Sequence, residues 1–242
     1  MNNNIDLGRG GMFGLGSDDV PAYTEGSNSV MCHSVERDAL VVVDVQQDFA
    51  NPVGSLYVKD AEQVIPVINM LTAEAMRRNV PTFFSRDWHP ENTPHFDKWP
   101  VHCVAGTPGA GFANGLVVPQ SANIVSKGLG LEVTDVDGYS AANGTLIDGS
   151  TLAEALRAAS INSVTVVGLA TDYCVKATAI DLANAGFYVT VVHEAIRAVN
   201  IQPNDGRDAR RAMQDAGVSI VKILGGVFAP KQAPAPSESQ AV

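Results

Sequence analysis

Basic residues are scarce in this chain. Its 242 residues hold 16 Lys and Arg against 26 Asp and Glu, a formal net charge of −10, and no Lys/Arg cluster interrupts that acidity. Such a surface excludes the electrostatic footprint of nucleic-acid binders and of proteins drawn to anionic membranes, and favours a small neutral or cationic substrate. Cysteine is equally sparse. Cys32, Cys103 and Cys174 are odd in number and far apart, with no C-x-x-C pair. That excludes a disulfide framework or a cysteine-built structural zinc site, and points to reduced thiols in a cytoplasmic protein. Long apolar runs are also missing, the one that begins at Ala39 being far too short to span a bilayer. The opening Met1-Asn-Asn-Asn lacks the basic-then-apolar order of a secretory leader. Gly106-Thr-Pro-Gly-Ala-Gly111 lacks the Gly-Lys-Ser/Thr ending of a phosphate loop, and Gly8-Arg-Gly-Gly11 follows no strand, so neither is a nucleotide fingerprint. No internal repeat is apparent.

What remains is an ordinary globular composition, 45% hydrophobic and 17% charged, in a length that one large α/β domain can occupy. Residues 1–37 are rich in Gly, Asn and Ser and read as a flexible extension. Residues 229–242, with three prolines followed by Ser-Glu-Ser-Gln, read as a flexible tail. Between them, residues 38–228 alternate regularly. Short, nearly all-apolar runs at Leu40–Asp44, Pro81–Ser85, Asn123–Ser126, Ser163–Val167, Phe187–Val192 and Val218–Ile223 predict six strands buried on both faces. Helical spacing predicts helices over 61–79, from Thr151 through Ala158 behind a capping box, over 172–185, and over 205–216. The implied fold class is α/β, a three-layer α/β/α sandwich with a six-stranded, mostly parallel sheet. In such sheets the site lies beyond the carboxyl ends of the strands.

Chemically capable residues gather at those ends. Asp44 closes the first apolar run, where a poorly solvated carboxylate can accept a proton and return it. Asp48, close behind, fits a backbone-capping role better. Lys127 follows the third strand and is placed to balance Asp44. Cys174 falls in the first turn of the helix after the fourth strand, where amide dipoles favour a thiolate and are expected to lower the thiol pKa. Cys103 lacks that placement and reads as structural. The loop after the second strand carries Asp87, His89, His95 and His102, three of the chain's 5 histidines lying between positions 89 and 102. One carboxylate with three imidazoles suits one divalent ion (zinc, iron or manganese) with open positions left for water or substrate. The spacing of His89 and His95 rules out a helical pair, so the site is a loop site.

These motifs, in order, resemble the nicotinamidase branch of the isochorismatase-like cysteine hydrolases. The resemblance covers roughly residues 39–224. It rests on Val43-Asp-Val-Gln-Gln-Asp-Phe49, Arg86-Asp-Trp-His-Pro90, Trp99-Pro-Val-His-Cys-Val104 with Gly106-Thr-Pro-Gly109, Lys127-Gly128, Asp135-Val-Asp-Gly-Tyr-Ser-Ala141 and Gly168-Leu-Ala-Thr-Asp-Tyr-Cys-Val175. It implies an isochorismatase-like (Rossmann-like) fold with strands one and four adjacent at the topological switch point. It implies hydrolysis of a linear amide, nicotinamide to nicotinate and ammonia, as in NAD salvage, by a catalytic triad of Asp44, Lys127 and Cys174. The metal ligands implied are Asp87, His89 and His102, with His95 as an additional one. A cis peptide between Leu169 and Ala170 is implied, which turns the Ala170 amide toward that of Cys174 as an oxyanion hole. Phe49 and Trp99 correspond to positions flanking a pyridine ring, with Tyr139, Tyr173, Leu56 and Leu169 completing the wall. Ala142 stands where close relatives commonly carry phenylalanine, so the pocket rim or a neighbouring-subunit contact is expected to differ. The alternative reading is another amidohydrolase of the same superfamily acting on a different small amide. Nucleic acid and membrane are not expected partners, and self-association into a homo-oligomer is left open.

Overall fold

The computed structural model describes residues 37–130 and 138–223; the expected C-terminal tail, all but one residue of the N-terminal extension, Cys32 and the segment 131–137 lie outside these described residues. Six strands form one sheet in the order β3-β2-β1-β4-β5-β6. They are β1 (Asp38–Val43), β2 (Thr82–Asp87), β3 (Asn123–Lys127), β4 (Ser163–Leu169), β5 (Tyr188–Arg197) and β6 (Ser219–Val221). Every pairing between them is parallel. The chain builds outward from β1 in one direction through β2 and β3. It then returns to the other side of β1 with β4, so β1 and β4 flank the switch point as expected.

Side-chain alternation along each strand sorts the core into two faces. Ala39, Val41, Val43 and Phe83 join one cluster, whereas Leu40, Val42 and Phe84 join the other. The short helix α1 (Gln47–Ala50) follows β1, and α2 (Val64–Arg77) packs Val64, Ile68, Leu71 and Ala75 onto the second face. The first face is covered by α3 (Leu152–Ala158), α4 (Lys176–Asn184) and α5 (Asp205–Asp215), through Leu152, Leu156, Ala179, Leu182 and Met213. Each of these buried Leu, Ile and Met side chains contributes about 1.5–3 kcal/mol. The predicted capping box holds: the Glu154 N–H donates to Thr151 Oγ1 at 3.2 Å, and the Thr151 N–H donates to Glu154 Oε2 at 2.9 Å.

Three differences from the sequence reading concern the sheet's last strands. β4 continues to Leu169, and β5 runs five residues past Val192. A register shift between Val166 and Gly168 lets Ile196 and Arg197 rejoin the β4 edge after the polar His193-Glu194 step. β6 is only three residues long, since Ile223 leaves the ladder and its N–H donates instead to Glu194 Oε2 at 3.1 Å. Ala142, expected to alter the pocket rim or a neighbouring-subunit contact, is buried in the core of the first face.

Candidate active site

β1 ends where Asp44 adopts a left-handed backbone, φ 51°, a conformation that costs a non-glycine residue energy and is kept where surrounding structure enforces it. The turn places its carboxylate beyond the strand's carboxyl end, fully buried. Asp87 ends β2 and Lys127 ends β3, directly paired in register. Cys174 lies in a π-helical turn, Thr171–Val175, that leads from β4 into α4. Four separate strand ends thus deliver four functional groups to one place.

Lys127 is their hub. Its Nζ lies 2.8 Å from Asp44 Oδ2, donates to Asp87 Oδ1 and to the Gly138 carbonyl, and stands 3.5 Å from Cys174 Sγ. Carboxylate oxygens of Asp44 and Asp87 and the Cys174 sulfur all lie within 4.8 Å of one another. Ser85, a β2 residue with no distinguishing sequence signal, donates its hydroxyl to Asp44 Oδ1 at 2.7 Å and fixes that carboxylate's orientation.

Burial and this charge cluster set the protonation states. Burial pushes Asp44 up to about 6 against the pull of Lys127, and Asp87 pushes it the same way. For Asp87 burial also acts upward, but the Lys127 ammonium overrules it and holds the carboxyl well below its usual range. Burial alone would lower Lys127, yet its two carboxylate neighbours more than compensate and keep the ammonium charged. The expectation of a lowered pKa at Cys174 is not met: burial pushes the thiol well above its usual value, Lys127 pulls it down, and the two carboxylates push it up again. The first-turn amides do not outweigh the desolvation. At rest the centre is therefore a neutral thiol beside a carboxylate whose proton affinity has been raised.

The histidines form the adjoining wall. Ligand atoms of the buried His89, His95 and His102 lie within 4.8 Å of one another. His89 Nδ1 contacts the Gly128 carbonyl at 2.9 Å and His102 Nδ1 contacts the Pro100 carbonyl at 2.6 Å. A carbonyl can only accept, so both Nδ1 atoms carry the proton and both Nε2 lone pairs are left for another partner. Burial pushes His102 down to about 4, which keeps that ring neutral at pH near 7. His89 Nε2 is buried without a hydrogen-bond partner, and Asp87 Oδ2 lies 3.7 Å from it and 3.9 Å from His102 Nε2. An orphaned lone pair, a second one facing the same point, a third imidazole and a carboxylate are what a divalent ion requires. The residues present fit one. Gly128, at φ 65°, leaves room for the His89 ring, against which any Cβ at that position would collide.

Between these two groups opens a cleft lined by Phe49, Leu56, Trp99, Tyr139, Leu169 and Tyr173 together with Cys174, Asp87, His95, His102 and Ala170. All six expected wall residues are there. Trp99 and Tyr173 meet edge to face at 5.0 Å, Trp99 Nε1 donates to the Tyr139 hydroxyl at 2.9 Å, and Phe49 tilts against His102 at 5.3 Å. Val58 and Val199 also line the cleft and were not anticipated, since nothing separates them from core valines in sequence. The Leu169–Ala170 peptide is cis, as the resemblance implied. Asp48 caps backbone as expected, accepting from the Cys103 N–H at 2.7 Å, and Cys103 is fully buried with its thiol pushed far upward by burial.

A cleft of this kind, with thiol, carboxylate and ammonium at one end and a ligand set for a metal beside it, suits nucleophilic attack on a small planar acyl compound. Comparison with known proteins agrees. The nicotinamidase of Escherichia coli (strain K12) is 34% identical over 206 residues, covering 76% of this chain and 94% of that protein. The crystal structure of the pyrazinamidase of Pyrococcus horikoshii in complex with zinc superposes with a TM-score of 0.68 at 35% identity, covering 77% of this chain and 99% of that one. The yeast nicotinamidase bound to the inhibitor nicotinaldehyde also gives a TM-score of 0.68, at 29% identity, covering 77% of this chain and 100% of that one. The isochorismatase domain model matches residues 38–222, the whole sheet and every wall of the cleft, and the chain belongs to the isochorismatase family.

Proposed function

We propose that this protein is a nicotinamidase, converting nicotinamide and water to nicotinate and ammonia through a thioester on Cys174. One observation carries the reading. The buried Lys127 ammonium holds Asp44 and Asp87 at once while standing 3.5 Å from Cys174 Sγ, and Asp87 reaches in turn to the histidine cluster. Nucleophile and metal ligands are thereby tied into one unit on one side of an aromatic cleft.

The chemistry follows from these residues. Phe49 and Trp99 receive the flat ring, with Tyr139, Tyr173, Leu56 and Leu169 excluding water around it. His89, His95, His102 and Asp87 would hold a divalent ion, which would supply a Lewis acid for the ring nitrogen. Asp44 takes the Cys174 thiol proton as Sγ attacks the carboxamide carbon, which is the step for which a raised carboxylate pKa is suited. The Ala170 and Cys174 amides receive the negative oxygen, and loss of one such donor typically costs roughly 10²–10³ in turnover. Asp44 then returns the proton to the departing nitrogen, and ammonia leaves with formation of the thioester. Water, losing a proton to Asp44, attacks the thioester carbon; nicotinate departs and the thiol is restored. Throughout, Lys127 offsets the charge that moves between Asp44 and sulfur.

The test is ammonia release from nicotinamide measured beside release from carbamoyl and aliphatic amides. Turnover of nicotinamide well above that of the other amides is expected. Preference for a carbamoyl substrate would instead favour a different amidohydrolase activity of the same family.

A further inference from the structure

The geometry points to Gln46 as a positioning residue that fixes Asp87 for metal binding by clamping its backbone. This rests on the reading of Asp87 and the three histidines as the ligands. The last main-chain bond between β1 and β2 runs from the Asp44 N–H to the Ser85 carbonyl at 3.2 Å, after which the left-handed turn at Asp44 carries the β1 chain away. Two residues further along β2, Asp87 has Lys127 of β3 as its register partner on one side, whereas β1 has already ended on the other. The Gln46 side chain fills the missing place. Its Oε1 accepts from the Asp87 N–H at 2.8 Å and its Nε2 donates to the Asp87 carbonyl at 2.8 Å. The remaining Nε2 hydrogen goes to the Ala110 carbonyl at 2.9 Å. Both amide hydrogens and the oxygen are used, and the side chain is fully buried.

That amide cannot swing aside without leaving the Asp87 N–H and carbonyl unpaired in the interior. The clamp matters because Asp87 has two duties. One carboxylate oxygen binds Lys127, while the other lies 3.7 Å from His89 Nε2 and 3.9 Å from His102 Nε2. A small rotation of the Asp87 backbone would withdraw the second oxygen from the histidines while the first kept its salt bridge. Gln46 thus acts on the metal through Asp87 and touches neither metal nor substrate.

The experiment titrates zinc into the metal-free full chain by calorimetry, for the parent, Gln46→Glu, Gln46→Met and His89→Ala, with ammonia release read at limiting and at saturating zinc. Gln46→Glu turns an oxygen toward two carbonyls, and Gln46→Met removes every bond. Both are expected to bind zinc roughly 10–100-fold more weakly, the effect typical of losing an outer-shell partner. Both should regain turnover as zinc is raised, a recovery that a merely structural role would not show. Zinc affinity indistinguishable from the parent in both variants, with His89→Ala impaired, overturns the role of Gln46 alone. Parent-like affinity in His89→Ala overturns the ligand reading and Gln46 with it. If neither Gln46 variant keeps the parent's circular dichroism, the residue serves the fold and the positioning role is overturned.

Discussion

Replacing Lys127 by methionine keeps most of the side chain's length and removes one buried charge. In the parent, the ammonium separates two carboxylates whose oxygens lie within 4.8 Å of each other and of the Cys174 sulfur. The attraction of the ammonium for Asp44 Oδ2 at 2.8 Å is about 6 kcal/mol at an effective dielectric of roughly 20. Without the ammonium that attraction is lost, while the burial and the Asp87 charge that raise Asp44 to about 6 remain. Losing even half of it, about 3 kcal/mol, corresponds to roughly two pKa units, which carries Asp44 above neutrality. Asp44 must be ionised to take the thiol proton, so turnover falls as pH drops through its pKa. The parent should show an acid limb in kcat/KM near pH 6, whereas Lys127→Met should move that limb to about pH 8 and lower kcat/KM at neutral pH by roughly 10-fold through the ionised fraction of Asp44. The assay is ammonia release from nicotinamide across this pH range. Denaturant unfolding should show a loss of up to about 3–5 kcal/mol, as expected on breaking a buried ion pair. An acid limb that stays near pH 6 with near-parental turnover would refute the hub role of Lys127.

Gly128→Ala should weaken zinc binding measured by calorimetry, because the new Cβ meets the His89 ring and the φ of 65° disfavours any side chain; unchanged affinity would mean that the ring is not held where the carbonyl contact puts it. Thr151→Ala removes the cap of α3 and should cost about 1 kcal/mol in denaturant unfolding, with turnover unchanged because the cap lies on the exposed surface. A change in turnover from that substitution would contradict the separation of cap and cleft.

The sheet was legible in sequence because its strands are buried on both faces. Continuous apolar runs such as Leu40-Val-Val-Val43 leave no other assignment, and the alternation with helices fixes the parallel topology. The cleft was legible for the same reason, since a site at strand ends concentrates Asp44, Asp87, Lys127 and Cys174 at the last polar position of each run or just after it. Gln46 and Ser85 were not legible as positioning groups. A glutamine after a strand and a serine within one look ordinary until register sets each opposite a residue 41 positions away. Nor was the protonation state of Cys174. Helix placement predicts a lowered thiol pKa, but desolvation and two carboxylates act the other way, and their distances exist only in the folded chain. The continuation of β5 to Arg197 was hidden by the polar His193-Glu194 step, which a local pattern reads as an end.

The most direct measurement is a paired one on Cys174→Ala: bound zinc and ammonia release from nicotinamide in the same preparation. A sulfur that attacks while neighbouring imidazoles keep the ion predicts zinc content equal to the parent and no detectable ammonia. Sustained ammonia release from the variant would contradict the nucleophile assignment at its root.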